Sequence, residues 1–211
     1  GSADLMEALG HDLMQDPAKT LEQINNTNFG FCFAPLYHPS FKGVKDIRRE
    51  LKTQTIFNLI GPLINPAHAE YRIIGVADPN HLNLFAKTLQ QTAKSTLKKA
   101  VVVHCQGCDE LNTIGKSQII EVTSDKLFEY ILDPKDYGFK EAKLEDLQGD
   151  DAKSNLDLIM QVFKGKQSNL ADTIILNAAM GVSLYKDISL NEAVFECKEH
   201  VFSGVNILNF K

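Results

Sequence analysis

The sequence predicts an α/β fold in which a mixed or mainly parallel sheet is flanked by helices. Two short apolar runs, at residues 73–77 and 100–104, enclose a stretch with helical spacing at 82–93. Apolar runs without polar alternation are typical of strands that are covered on both faces. The last part of the chain has the apolar spacing and the glycine stops of helices. A strand, a helix and a strand followed by further helices is the order of a layered α/β fold.

The first part of the chain predicts helices and one strand. Residues 3–9 have helical composition, and residues 16–27 begin with an aspartate N-cap and a proline at the first helical position. Residues 29–34 are aromatic and apolar, so they are predicted as a buried strand. Residues 41–51 alternate apolar and basic side chains at helical spacing, which predicts another helix.

Beyond residue 104 the pattern predicts a hairpin and then three helices. The runs 119–122 and 127–132 are predicted strands with a turn about Ser124. The helical segments that follow are 151–163, 168–185 and 189–203. No internal repeat, low-complexity segment or linker interrupts the sequence, so residues 1–211 are predicted to form one domain.

The composition is that of a globular protein and excludes several classes of protein. Of the 211 residues, 44% are hydrophobic and 23% are charged, which rules out disordered, coiled-coil and collagen-like chains. The net charge of −5 argues against a nucleic-acid or anionic-membrane partner. No apolar run approaches the roughly 20 residues of a membrane span, and no signal peptide opens the chain. We therefore expect a cytoplasmic protein with reduced cysteines.

The densest group of chemically active residues follows the predicted strand at 100–104. His104 is followed by a CxxC motif at 105–108 and then by Asp109 and Glu110. The CxxC motif would suit zinc or redox chemistry, but no second CxxC supplies the remaining ligands of a zinc site. Paired carboxylates just past the carboxyl end of a strand suit Mg²⁺ bound together with a ligand. An exposed acidic turn is the alternative interpretation.

Two further residues are candidates for binding, and each has a structural alternative. His38 lies in the loop after the predicted strand at 29–34, where it either contacts a ligand or is a surface histidine. Arg48 lies on the predicted helix at 41–51, where it either meets solvent and pairs with Glu50 or points inward. An inward guanidinium would be suited to bidentate capture of a small carboxylate.

Several segments together form a specific series. They are GSADLMEALG at 1–10, FCFAPLYHP at 31–39, IRREL at 47–51, TIFNLIGPLINP at 55–66, VVVH at 101–104 with the acidic pair after it, YILDPKDYG at 130–138 and LNAA at 176–179. In this order and spacing the chain resembles the anthranilate phosphoribosyltransferase family over essentially its whole length. The resemblance implies an α/β domain like the large domain of nucleoside phosphorylases and phosphoribosyltransferases.

The resemblance implies an enzyme of tryptophan biosynthesis that transfers a phosphoribosyl group from phosphoribosyl pyrophosphate to anthranilate and releases pyrophosphate, with Mg²⁺ as the cofactor. It assigns Asp109 and Glu110 to Mg²⁺. It assigns Arg48 to the anthranilate carboxylate and Ser2 to the phosphoribosyl pyrophosphate side. Four residues match the wall of the anthranilate channel: Ala34, Pro35, Tyr37 and His38. No covalent nucleophile is implied, because positioning and charge stabilisation suffice for the transfer.

The departures from the family pattern concern segments that lie upstream in the family. Its pyrophosphate-cradling GTGGD loop and its KHGNR strand occur nowhere in these residues, and its N-terminal helical domain is not found in them either. We therefore expect residues 1–211 to be the C-terminal α/β portion, incomplete at its N-terminus, and to be inactive alone. Removing a preorganised donor costs about 10²-fold or more in rate. The full-length enzyme is expected to be a homodimer, and the chain alone a monomer or loosely associated.

Two other functions remain open at this point. The chain could be a non-catalytic remnant that folds and binds a partner. It could also be a nucleic-acid-binding relative on the same fold, although such a relative is expected to carry a basic face, and the net charge here is −5.

Overall fold

The structure is a computed structural model that describes residues 2–44, 56–93, 95–147 and 152–204. The described residues fall into two compact units. The first unit lies within residues 1–67 and 151–156, and the second lies within residues 68–150 and 157–207. The sheet and the acidic pair belong to the second unit.

The first unit consists of short helices. They are α1 (Ser2–Ala8), α2 (Pro17–Thr27), α3 (Ala34–Tyr37) and α4 (Ile56–Leu59), with 3₁₀ turns at Pro39–Val44 and Gly61–Ile64. Helix α2 begins as the sequence predicts, since the Asp16 carboxylate accepts a hydrogen bond from the Ala18 N–H at 2.7 Å and Pro17 occupies the first helical position. Asn28 ends α2 in the left-handed conformation, with a φ of 59°.

The predicted strand at residues 29–34 is wrong. Residues 29–33 have no regular secondary structure, and Ala34 begins the one-turn helix α3. The segment packs back against α2, where a Cβ placed on Gly30 would lie only 2.5 Å from Ile24 Cγ1. Its apolar side chains are therefore partly buried without strand pairing, and Pro35 stands in the first turn of a helix. The predicted helix at 41–51 is a 3₁₀ turn as far as Val44, and residues 45–55 lie outside the described part.

The second unit contains a four-stranded sheet in the order β1-β2-β3-β4. The strands are β1 (Tyr71–Gly75), β2 (Lys99–His104), β3 (Ser117–Val122) and β4 (Leu127–Leu132). Strand β1 pairs in parallel with β2, whereas β2 with β3 and β3 with β4 pair antiparallel. The sheet is therefore mixed, which is the first of the two predicted forms. The predicted hairpin is confirmed as β3 and β4.

Helices cover both faces of this sheet. The helices after β1 are α5 (Leu82–Thr92), α6 (Ala152–Phe163, with residues in both units), α7 (Asn169–Lys186) and α8 (Leu190–Phe202), of which α5 and α7 contact the strands directly. Helix α5 connects β1 to β2 and contacts β2 and β3. Val101 and Val103 point the other way, into a buried cluster with residues of α7 and α8. The predicted α/β fold with flanking helices is confirmed. Among the described residues, no helix is long and apolar enough to cross a membrane.

Candidate functional site

The acidic pair lies at the carboxyl end of strand β2. That strand ends at His104, and Asp109 and Glu110 follow after one four-residue turn, both with exposed side chains. The parallel neighbour β1 ends at Gly75 on the same edge of the sheet. Open α/β sheets bind ligands outside the carboxyl ends of their strands, so the pair is exposed where such a ligand would be received.

The turn at residues 105–108 reverses the chain and brings Asp109 back toward the sheet. The Cys105 N–H donates to the Cys108 carbonyl at 3.1 Å, and the Cys108 N–H donates to the Cys105 carbonyl at 2.8 Å. Gln106 and Gly107 both have left-handed backbones, with φ values of 47° and 87°. Two consecutive left-handed residues between a hydrogen-bonded pair are typical of a type I′ hairpin turn.

Gly75 allows the returning chain to lie directly against the end of strand β1. A Cβ on this residue would stand 1.3 Å from the Asp109 carbonyl oxygen and 2.3 Å from its carbonyl carbon. Any side chain at position 75 would therefore displace the Asp109 backbone. This contact fixes the height of the acidic pair above the sheet.

The residues that follow the pair are held by helix α7 and by a buried amide. The Asn177 carboxamide accepts from the Leu111 N–H at 3.2 Å and donates to the Leu111 carbonyl. The Asn112 side chain is fully buried, and its Oδ1 accepts from the Ile114 N–H at 3.0 Å and from the Cys105 thiol at 3.2 Å. The segment from the turn to Ile114 is thus fixed by side chains on either side of the pair.

His104 is part of this scaffold. Its ring is buried, with Nδ1 2.9 Å from the Val76 carbonyl and Nε2 3.4 Å from the Gly107 nitrogen. The carbonyl requires a proton on Nδ1 and the N–H requires a lone pair on Nε2, so the partners assign the tautomer. Both ring nitrogens are engaged by backbone, and His104 therefore supports the turn.

Burial disfavours the thiolate form of both cysteines of the CxxC motif. Cys105 is fully buried, and burial raises the pKa of its thiol; burial also raises the pKa of Cys108, together with the nearby charge of Glu110. A thiol with a raised pKa is a weak nucleophile and a weak metal ligand. Within the described residues, no three His, Cys, Asp or Glu side chains are grouped so that they could hold a metal ion.

The acidic pair suits Mg²⁺ that takes its other ligands from water and phosphate. Partial desolvation raises the pKa of Glu110, and a hydrogen bond with Asp109 and the charge of Asp109 raise it further. Two carboxyl groups that repel each other at an exposed edge are stabilised by a cation between them. Mg²⁺ is commonly bound by one or two carboxylates together with substrate phosphates. The two carboxylates of Asp109 and Glu110 fit this mode of Mg²⁺ binding.

The described residues that are predicted to bind anthranilate lie in the first unit. Helix α3 places Ala34, Tyr37 and His38 within one turn, and the His38 N–H donates to the Ala34 carbonyl at 2.9 Å. Ala34 and Pro35 are exposed, whereas Tyr37 and His38 are half-buried. The structure thus brings these four residues together as one short segment. Arg48 lies outside the described residues.

Ser2 is the first residue of helix α1 and is exposed. Its assignment to the phosphoribosyl pyrophosphate side stays a prediction, as do the roles of the residues in α3.

Comparison with known proteins decides the family. The sequence profile described as "Glycosyl transferase family, a/b domain" matches residues 1–207. The chain belongs to this glycosyl transferase family. Among its relatives, the anthranilate phosphoribosyltransferase of Thermoanaerobacter sp. is 39% identical over 100% of the chain and 59% of the relative. That of Chlamydia caviae is 36% identical over 97% of the chain and 59% of the relative.

Solved structures within the glycosyl transferase family have the same fold. The anthranilate phosphoribosyltransferase of Thermus thermophilus aligns with a TM-score of 0.91 and 38% identity, over 100% of this chain and 62% of that one. The Saccharomyces cerevisiae enzyme in complex with PRPP and Mg aligns with a TM-score of 0.90 and 27% identity, over 100% of this chain and 60% of that one. The resemblance stated from the motifs is confirmed. The chain spans about three fifths of the length of these relatives.

Three residues of the site in this family member were not predicted as functional: Gly75, Asn112 and Asn177. Gly75 ends an apolar run, and a strand-terminal glycine can signal a close backbone approach, but the sequence does not name the partner. Asn177 lies in the LNAA segment that carries part of the resemblance, without an assigned role. Its partner Leu111 is 66 residues away in sequence, so sequence spacing could not identify the contact.

Proposed function

We propose that this chain is the part of an anthranilate phosphoribosyltransferase that holds the metal-bound pyrophosphate and receives anthranilate. The observation that carries the proposal is the Asp109–Glu110 pair, held at the carboxyl edge of the parallel strands by Gly75 and Asn177. The glycosyl transferase profile and the relatives support the same reaction class. The reaction joins anthranilate to the phosphoribosyl group and releases pyrophosphate.

In this proposal some residues bind anthranilate and others stabilise charge on the pyrophosphate. Asp109 and Glu110 would hold Mg²⁺ on the pyrophosphate side, where the ion, when bound, neutralises charge that develops on the leaving group. The segment from Ala34 to His38 would line the path of the planar anthranilate ring. Arg48 would pair with the anthranilate carboxylate and so orient the amine toward the ribose. Orientation and charge neutralisation then supply the rate enhancement without a covalent intermediate.

The acidic pair is tested by removing its charge in the gene product that contains this chain, expressed at full length. Anthranilate fluorescence should disappear only when both phosphoribosyl pyrophosphate and Mg²⁺ are present. Asp109→Asn with Glu110→Gln should lower kcat/KM by about 10²-fold or more and raise the Mg²⁺ concentration needed for half-maximal rate.

Asp125→Asn with Glu129→Gln is the matched control, because it removes two exposed charges from the β3–β4 hairpin. This control should keep the wild-type rate. Full activity of the Asp109→Asn, Glu110→Gln variant would contradict the metal assignment.

A second experiment tests the anthranilate assignment. Arg48→Ala should raise the KM for anthranilate more than the KM for phosphoribosyl pyrophosphate, because only the first substrate carries the carboxylate that the guanidinium would bind. If both KM values rise equally, Arg48 is part of the scaffold and the assignment is wrong.

A further inference from the structure

Asn177 forms hydrogen bonds with the chain directly after the acidic pair. Its Oδ1 accepts from the Leu111 N–H at 3.2 Å, and its Nδ2 donates to the carbonyl of the same residue and to the Thr173 carbonyl at 2.9 Å. One side chain therefore satisfies both backbone groups of Leu111. The Leu111 side chain is fully buried, so the peptide that joins it to Glu110 is anchored from two directions.

The position of this contact links helix α7 to the orientation of Glu110. Leu111 is the next residue after Glu110, so holding its N–H fixes the plane of the intervening peptide and the direction in which the Glu110 side chain leaves the backbone. The opposite side of the pair is fixed by the approach of Asp109 to Gly75. The two carboxylates therefore project from a short segment that is held at both ends.

We infer that Asn177 is a positioning residue for the acidic pair, and that its hydrogen bonds to Leu111 determine the affinity of the pair for a divalent cation. The inference rests on the proposed function, since it takes Asp109 and Glu110 as the metal-binding residues. Asn177 touches neither the cation nor a substrate in this scheme. Residues that orient metal ligands typically change metal affinity by about 10-fold to 100-fold when they are replaced.

The matched control lies on the same helix. The Ser183 hydroxyl donates to the Ile188 carbonyl at 2.7 Å, which is also a side-chain bond from α7 to backbone, but its partner lies beyond the other end of the helix. Ser183→Ala therefore weakens the anchoring of α7 and leaves Leu111 in place. A general loss of stability should appear in both variants, whereas loss of positioning should appear only at Asn177.

The probe is Mn²⁺ alone, which is paramagnetic and can be counted as free ion by electron paramagnetic resonance during a titration of the full-length gene product that contains this chain. We expect Asn177→Ala and Asn177→Asp to raise the dissociation constant for Mn²⁺ about tenfold, and Ser183→Ala to leave it within about twofold of wild type. Asn177→Asp is informative because it adds a negative charge near the pair, which by itself would favour the cation. A weaker affinity in this variant therefore reports geometry rather than charge.

A measurement on the wild-type chain covers the case in which the variants do not fold. Hydrogen exchange at the Leu111 amide should slow when Mg²⁺ is added, because a cation that binds the fixed segment stabilises the closed Asn177–Leu111 contact. Exchange at the Ser203 amide, which donates to the Glu199 carbonyl at the end of α8, should not change.

The outcomes separate this inference from the proposed function. If the Asn177 variants bind Mn²⁺ like wild type, or if Ser183→Ala weakens binding equally, the positioning role is wrong and the metal assignment stands. An Mg²⁺-independent exchange rate at Leu111 also contradicts the positioning role. If wild type does not bind Mn²⁺ more tightly than the Asp109→Asn, Glu110→Gln variant, the metal assignment itself is wrong and the inference fails with it.

Discussion

Neutral residues determine where the two carboxylates of the candidate site stand. Gly75 admits the Asp109 backbone, Asn177 holds Leu111, and the buried Asn112 links the Cys105 thiol to the Ile114 N–H. Each of these contacts joins residues that are brought together by a turn or by the tertiary fold. The charge that would bind a cation under the proposed function therefore lies on two exposed residues, whereas residues without charge hold the backbone on either side of them.

Gly75→Ala should destabilise the chain strongly. Its Cβ would overlap the Asp109 carbonyl oxygen at 1.3 Å, and because backbone cannot move aside like a flexible side chain, we expect a loss of about 2–3 kcal/mol. The measurement is urea unfolding followed by circular dichroism.

The control is Gly181→Ala on helix α7, where the new Cβ would meet Ile73 Cδ1 at an ordinary contact distance of 3.7 Å. This control should be neutral or more stable, because alanine is favoured over glycine in a helix by about 1 kcal/mol. Equal stability of the two variants would contradict the close approach.

Glu110→Gln should raise the free energy of unfolding at pH 7 in the absence of metal. The pKa of Glu110 is raised in the folded chain by desolvation and by Asp109, so the unfolded chain loses this proton at a lower pH. The ionised carboxyl therefore costs stability as pH rises above its ordinary value of about 4.3. Glu110 is exposed, so solvent screening limits the gain to about 1 kcal/mol or less.

Unfolding at pH 7 and at pH 4 tests this expectation, because the difference from wild type should shrink at the lower pH. Glu129→Gln, an exposed charge on β4, controls for the general effect of losing a negative charge. A wild-type chain that is more stable than Glu110→Gln at pH 7 without metal would contradict the prediction.

The helices and strands follow local signals in the sequence wherever their side chains are buried on a regular face. Helices α7 and α8 start at serines whose hydroxyls accept N–H donors from the first turn, from Ala171 and Glu192. Strand β2 is buried along most of its length because helices cover both faces, which explains its unbroken apolar run. The apolar segment at residues 29–33 is different, because it packs on helix α2 and pairs with no strand among the described residues.

Ser189→Ala should lower stability by about 1 kcal/mol, since it removes the N-cap of α8. The Ser189 hydroxyl accepts from the Glu192 N–H at 3.3 Å, and the Glu192 carboxylate in turn accepts from the Ser189 N–H at 3.0 Å. This reciprocal pair is a capping box. Thermal unfolding measures the loss, and Ser124→Ala in the turn between β3 and β4 is the control. If both variants lose the same stability, the cap does not stabilise α8.

The chain belongs to the glycosyl transferase family, whose profile matches residues 1–207. It aligns with the Thermus thermophilus enzyme over 100% of its residues, with a TM-score of 0.91. It spans about three fifths of the relatives, so their complete activity remains a proposal for it. The described residues form two compact units, and the single domain over residues 1–211 stays a prediction.

Local patterns were sufficient for the elements that are built from neighbouring residues. The aspartate N-cap of α2, the hairpin at β3 and β4 and the buried strand β2 were predicted from the sequence, because cap and turn residues and apolar runs are visible in the order of residues. The position of the acidic pair directly after the buried strand β2 was predicted as well, whereas its role in binding Mg²⁺ stays a prediction. The series of motifs extended this to the family, which the comparisons confirm.

Contacts between distant residues were decided only by folding. The 66-residue separation between Leu111 and Asn177, and the approach of Asp109 to Gly75, leave no periodic signal. The strand predicted at residues 29–34 was wrong for the same reason, because an apolar run records that a segment is buried but not what covers it. The sequence thus determined which residues carry charge and where the longer helices of the second unit lie, whereas tertiary packing decided which backbone contacts orient the two carboxylates. The orientation of the carboxylates depends on distances between segments that are far apart in sequence, and no local pattern of residues encodes those distances.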